Sequence, residues 1–139
     1  MKNGLIVVLF SLLAVQANAQ DNREVVWLTE AEQAELLKEM RGFLSASQQV
    51  LQAALEEDMQ KIEAAARPMG IKLMKNTPPG LSEKLPEGFR ALGPQAHQGF
   101  EDIADEASGL GDTQIILQRL AQMQKTCVAC HAQYQFKTR

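Results

Sequence analysis

The residues best suited to chemistry lie near the C-terminus: Cys127-Val128-Ala129-Cys130-His131. On a helix, thiols three positions apart share a face, and an imidazole four positions after the first thiol joins them. This Cys-x-x-Cys-His spacing is the attachment signature of a c-type haem. Two thiols on one helical turn can reach the two vinyl groups along one edge of a porphyrin, while the adjacent imidazole is directed at the iron. The spacing therefore points to one covalently bound haem c, with iron ligated by His131. Two other chemistries use similar residues. A thioredoxin-like dithiol follows a strand and opens a helix, and no βαβ pattern precedes Cys127. A tetrahedral zinc site needs a fourth ligand, and the other histidine, His97, stands alone in the sequence.

The elements that must position this motif read as helices. Thr29-x-x-Glu32 is a capping box, followed at three- and four-residue steps by Leu36, Leu37, Met40, Phe43, Leu44, Val50, Leu51, Ala54 and Leu55, an expected inward face with Ser47 as its small polar member. Glu56-Glu57-Asp58 breaks this helix, and Asp58 caps a shorter one carrying Met59, Ile62, Ala65 and Ala66. Pro68 and Gly70 end it, and residues 69–85, with Asn76-Thr77-Pro78-Pro79-Gly80, read as the longest irregular connection. A third helix starts near Pro86 and runs to about Ser108 with Phe89, Leu92, Ala96, Phe100, Ile103 and Ala107 inward, interrupted or kinked at Gly93-Pro94. His97 falls off that stripe and reads as a polar residue on its exposed side. Gly109-Leu110-Gly111 is a turn, Asp112 a cap, and the last helix carries Ile115, Ile116, Leu120, Met123, Cys127 and Tyr134. No alternating apolar pattern is evident. The expected fold is all-α, an antiparallel four-helix bundle with the haem near the C-terminal helix. Trp27, just before the first cap, reads as a hydrophobic staple or surface anchor.

At the other end, Lys2, an apolar run from Leu5 to Val15 and Ala17-Asn18-Ala19 read as a secretory signal peptide over residues 1–19. The run is shorter than the roughly 20 residues that cross a bilayer. Residues 20–139 then form one domain, exported and periplasmic, without stable membrane insertion. The net charge of −3 is interspersed, which disfavours nucleic acid and leaves room for a basic redox partner.

Together, the export signal, the helical pattern and a Cys127-x-x-Cys130-His131 motif near the far C-terminus resemble the cytochrome c prime and cytochrome c-556 family. In that family the first helix supplies the residue on the distal face of the haem, either an iron-ligating methionine or an apolar residue that leaves the iron open. The resemblance puts Met40 there, with Leu36, Leu37, Phe43 and Leu44 around it. It also implies a possible homodimer through the first two helices. Where the family commonly has tyrosine then arginine after the motif, this chain has Tyr134-Gln135, so a haem-edge role would pass to Arg41, Lys125 or Lys137. The tryptophan often found between the second and third helices is missing.

With His131 and Met40 on opposite faces the expected function is one-electron transfer, since methionine sulfur favours the ferrous state and a filled coordination sphere changes little on reduction. The alternative is a five-coordinate haem that binds nitric oxide or carbon monoxide at an apolar distal site. An enzyme is not expected, because no distal histidine with a nearby arginine offers acid or base assistance. Acidified organic solvent should leave the haem on the wild-type polypeptide, and Cys127→Ser or Cys130→Ser should lower the yield of holoprotein. Haem recovered in the organic phase from wild type would show that attachment is not covalent.

Overall fold

The structure is a computed structural model and describes residues 20–78 and 80–139; the expected signal peptide, residues 1–19, lies outside them. The chain is mostly helical: α1 (Glu30–Leu55), α2 (Met59–Ala66), α3 (Ile71–Met74), α4 (Leu81–Lys84), α5 (Glu87–Ser108) and α6 (Thr113–Gln133). No helix among the described residues is long and apolar enough to cross a membrane.

The caps are those that the sequence announces. Thr29 and Glu32 form the reciprocal capping box at the start of α1, each side chain bonded to the other's backbone N–H. Asp58 caps α2 through the Lys61 N–H, and Asp112 caps α6 through Gln114 and Ile115. Between α1 and α2, Glu57 takes a left-handed backbone conformation (φ 56°), a position that glycine occupies without strain. The connection from 69 to 85 is more ordered than its composition suggests, with a 3-10 turn at Arg67–Met69 and the short helices α3 and α4. Helix α5 runs through Pro94 without interruption.

The main correction to an all-α reading is a two-stranded parallel sheet, β1 (Glu24–Leu28) and β2 (Tyr134–Thr138), in register Glu24↔Tyr134 to Leu28↔Thr138. Val25-Val26-Trp27-Leu28 is β-branched and aromatic, and its last three residues alternate: Val26 and Leu28 are buried and Trp27 between them is exposed. Tyr134, expected on the last helix, instead caps α6 through its N–H to the Cys130 carbonyl and opens β2. Parallel strands need a crossover connection; here it is the whole helical body, so the sheet ties the two ends of the domain together.

Two apolar clusters make the core. The larger one joins α1, α2, α5 and α6 through Phe43, Val50, Ile62, Phe100, Ile103, Ile116, Leu120 and Met123. Helix α6 lies close against α5 because Gly99 presents no side chain where Met123 sits; a Cβ there would overlap it. The smaller cluster is built at the sheet end from Val26, Leu28, Leu36, Leu81, Phe89 and Tyr134. Several leucines expected to face inward on α1 do not: Leu37, Leu44, Leu51 and Leu55 are all exposed, Leu44 at 73%. The buried stripe of α1 is Leu36, Phe43, Ala46, Ser47, Val50, Ala53 and Ala54, so the apolar surface of this helix exceeds what the described residues cover.

The strand reading has a simple consequence. Leu28 is 1% exposed and Trp27 46%. Leu28→Ala should therefore cost about 2–5 kcal/mol, whereas Trp27→Ala should stay within about 0.5 kcal/mol. Urea titration of the two variants checks this, and equal losses would contradict the strand alternation.

Candidate functional site

The last turn of α6 is held from both sides. Ahead of it, Met123 anchors the helix in the larger cluster. Behind it, the Tyr134 ring seats edge-on against Phe89 with centroids 5.5 Å apart, and the Phe136 ring lies 5.8 Å from that of Phe89. Gly88 makes this possible, since a Cβ there would overlap the Tyr134 hydroxyl. The Arg23 guanidinium donates to the His131 carbonyl at 3.3 Å, and the Gln135 side-chain amide donates to the Arg23 carbonyl at 3.1 Å. Asp21 fixes Arg23 in turn through short charge-assisted hydrogen bonds, which hold the Asp21 carboxyl down at about 2.

Cys130, His131 and Met40 line one cavity of about 340 Å³, together with Arg23, Gln33, Leu37, Phe89, Tyr134, Gln135 and Phe136. Its volume falls in the usual range for small-molecule sites, about 300–1,000 Å³. Two helices bring the donors together: α6 carries Cys130 and His131, and α1 carries Met40. Cys127 lies one turn earlier on α6, half-buried against the larger cluster, with its Sγ 3.9 Å from the Met123 sulfur. Cys130 packs against the smaller cluster, and Met40 against both. The motif thus straddles the seam between the two clusters.

The other methionines are spent elsewhere. Met123 is buried against Gly99, Met59 lies beside Gly111, and Met69 and Met74 line a separate cavity. Of the cations expected to serve the haem edge, Arg41, Lys125 and Lys137 are exposed and none lines the Cys130 cavity; Arg23 does. Sequence reasoning missed Arg23 because it lies more than a hundred residues from the motif, and only the strand pairing brings the two together.

The two thiols are free of each other. Burial pushes both up from the ordinary thiol range, and for Cys130 the neighbouring Cys127 adds to the effect. The pair also sits at the C-terminal end of its helix, where the helix dipole disfavours a thiolate. Dithiol redox centres use the opposite arrangement, a helix N-terminus and a lowered thiol pKa. Among the described residues no three His, Cys, Asp or Glu side chains converge as a metal cluster. What the cavity does offer is an imidazole from α6 and a thioether from α1, with a thiol at the wall.

His97 is the second correction. Rather than facing solvent it is 4% exposed, its ring edge on Phe43 at 5.0 Å. The chain after α2 folds over this face of α5: the Met69 carbonyl lies 2.9 Å from His97 Nδ1, and Glu101 one turn along accepts from the Ile71 N–H. Helix α1 brings the Glu39 carboxylate to 3.6 Å from Nε2. A carbonyl only accepts, so Nδ1 carries a hydrogen, and in the neutral ring the Nε2 lone pair faces the carboxylate. Burial pulls the His97 pKa down, but the Glu39 carboxylate and the Met69 and Gly70 backbone outweigh it, and the net result lies above the ordinary histidine value.

No family model, curated protein or solved structure matches the chain.

The raised His97 pKa fixes the sign of a pH effect. Its contribution to stability is fully present below the unfolded value of about 6.5 and is lost as pH rises through the folded value. The urea midpoint should therefore fall between pH 6 and 8, and Glu39→Gln should flatten that slope. A wild-type midpoint that rises over this interval would reverse the assignment.

Proposed function

We propose that the chain is an exported, periplasmic one-electron carrier of the cytochrome c prime and cytochrome c-556 type. In this reading it is an antiparallel four-helix bundle for one haem c, which Cys127 and Cys130 would attach through thioethers and whose iron His131 and Met40 would ligate. The observation that carries the reading is that Met40, from the first helix, and His131, from the last, line the same cavity as Cys130. One-electron exchange at iron is the chemistry the haem supplies.

The residues present fit that group. Helix α6 packs far more closely on α5 than on α1, and the seam between α1 and α6 is where Met40, Cys130 and His131 line their cavity. Leu37 at the cavity and Leu44, one turn from Met40 on the same helix face, are exposed. A flat apolar macrocycle against that face would cover surface that the chain leaves bare, a gain on the order of 25 cal/mol per Å². Phe89, Tyr134 and Phe136 give the other side an aromatic wall. Arg23 places a cation at the cavity, where it orients the His131 carbonyl and can meet a carboxylate on the haem edge. The partner is a redox protein, and the first two helices, α1 and α2, are the surface for a possible homodimer.

Met40→Ala decides the matter. Wild-type protein should be low-spin, with a far-red iron–sulfur band when oxidised; the variant should be high-spin and bind carbon monoxide in the ferrous state, with the fold retained. Wild-type protein that is already high-spin and takes up carbon monoxide would replace the carrier with the gas-binding alternative. A Met40→Ala spectrum identical to wild type would remove Met40 from the iron.

A further inference from the structure

A larger cavity, about 780 Å³, opens between α1, the connection from 69 to 85, and α5. Phe89 forms part of its wall and part of the wall of the Cys130 cavity, so the two lie back to back. Helices α1 and α5 contribute Leu36, Gly42 and His97 to the lining, and the stretch Ile71–Pro78 contributes Leu73, Met74 and Thr77. A segment that lies over a space this large has little beneath it to pack against. Among the described residues from 71 to 80 none is buried, whereas Gly70 and Leu81, at the two ends of the stretch, both are. A segment with so few buried apolar contacts belongs to the low-stability end of a fold.

The stretch is therefore held at its ends. After α2 the fastening is one carboxylate on α5. Glu101 accepts from the Arg67 guanidinium on Oε1 at 2.7 Å and from the Ile71 N–H on Oε2 at 3.0 Å, so its two oxygens grip the chain on either side of Gly70. Glu63, Asp105 and the Ser108 hydroxyl hold the same guanidinium in place. Gly70 passes so near that a Cβ there would overlap the Glu101 carboxylate, which is why this fastening needs glycine. At the other end Leu81 enters the smaller apolar cluster and Lys84 pairs with Glu32 of α1. Between the ends the backbone bonds are internal: the N–H groups of Leu73, Asn76 and Thr77 donate to the carbonyls of Gly70, Leu73 and Met74. One helical turn has no stability of its own once it leaves the body. Release of Ile71 from Glu101 thus frees all of these N–H groups together.

We propose that Ile71–Pro78 is a cover over this cavity, fastened by Glu101 beside Gly70, and that it opens and closes as one unit while the rest of the domain stays folded. Open, it admits solvent and solutes to the cavity; closed, it roofs the space next to His97. The device is built without Cys127, Cys130, His131 or Met40 and stands whatever group those residues hold.

The test is native-state hydrogen exchange of the purified, exported full chain, read by NMR at the amides of Ile71, Leu73, Asn76 and Thr77, with Ile103, fully buried on α5, as the reference for global unfolding. The four amides should share one opening constant, at least about tenfold above that of Ile103. Glu101→Gln leaves one carbonyl oxygen for two donors, and Gly70→Ala pushes the carboxylate away; each should raise the shared constant about tenfold, the scale of one hydrogen bond to a charged acceptor. Ile116→Val, in the larger cluster, removes contacts that the open form keeps, so it should speed exchange at Ile103 and leave the four amides unchanged. Should Gly70→Ala not fold, Glu101→Gln and the wild-type pattern decide. The proposal is overturned if the four amides exchange only together with Ile103, if their opening constants differ from one another by more than about tenfold, if they show no protection in wild type, or if Glu101→Gln leaves them unchanged.

Discussion

Everything at the C-terminal motif depends on where α6 stops. Had the helix continued past Gln133, Tyr134 would project from it and the chain end would leave the body. Instead the Tyr134 N–H closes on the Cys130 carbonyl, the backbone turns extended, and residues 134–138 pair with 24–28. A two-stranded sheet alone is marginal in water. This one is stable because Val26, Leu28 and Tyr134 enter the same apolar cluster as Leu36 and Phe89. The pairing joins the first and last elements, brings Arg23 onto the His131 carbonyl, and fixes the last turn of α6 against α1. A helix end would ordinarily fray; here it is clamped at the turn that carries Cys130 and His131.

The body divides into two apolar clusters, and the division is functional in shape. Residues 36, 43, 46 and 50 of α1 fill the interior, while Leu37 and Leu44, turned by one position from 36 and 43, stay in water. Burying a leucine is worth about 1.5–3 kcal/mol relative to leaving it exposed, so a helix that leaves several bare on one side is not fully satisfied by the described residues. Met40 lies between these faces and touches both clusters. An apolar group at the seam would complete the packing of α1 rather than compete with it.

The helices were legible because their ends are specified locally: a Thr-x-x-Glu box, Asp58 and Asp112 as caps, and Gly109-Leu110-Gly111 as a turn all act within a few residues. The motif was legible for the same reason, since Cys127, Cys130 and His131 lie within five positions. The misses are non-local. Glu24-Val25-Val26-Trp27-Leu28 has strand propensity, but a five-residue segment becomes a strand only with a partner, and its partner is at the opposite end of the chain. His97 was read as exposed from its own helix periodicity; it is buried because the connection, which has no periodicity to read, lies over it. Leu37 and Leu44 match the inward stripe by spacing alone, and spacing does not say how wide a stripe the neighbours can cover.

Two adjacent residues show how one helix serves both cavities. Glu39 and Met40 are consecutive on α1, and successive side chains on a helix point about 100° apart. The carboxylate therefore faces the His97 cavity while the thioether faces the cavity shared with Cys130 and His131. Phe89 does the equivalent from α5, one ring closing both spaces. The partition keeps the His97–Glu39 pair away from the apolar seam, where an unpaired charge would be costly to bury. It also makes the two sides mechanically continuous: whatever repositions α1 or the Phe89 ring from one cavity alters the wall of the other. Separation of charge and sharing of wall both follow from the pitch of α1.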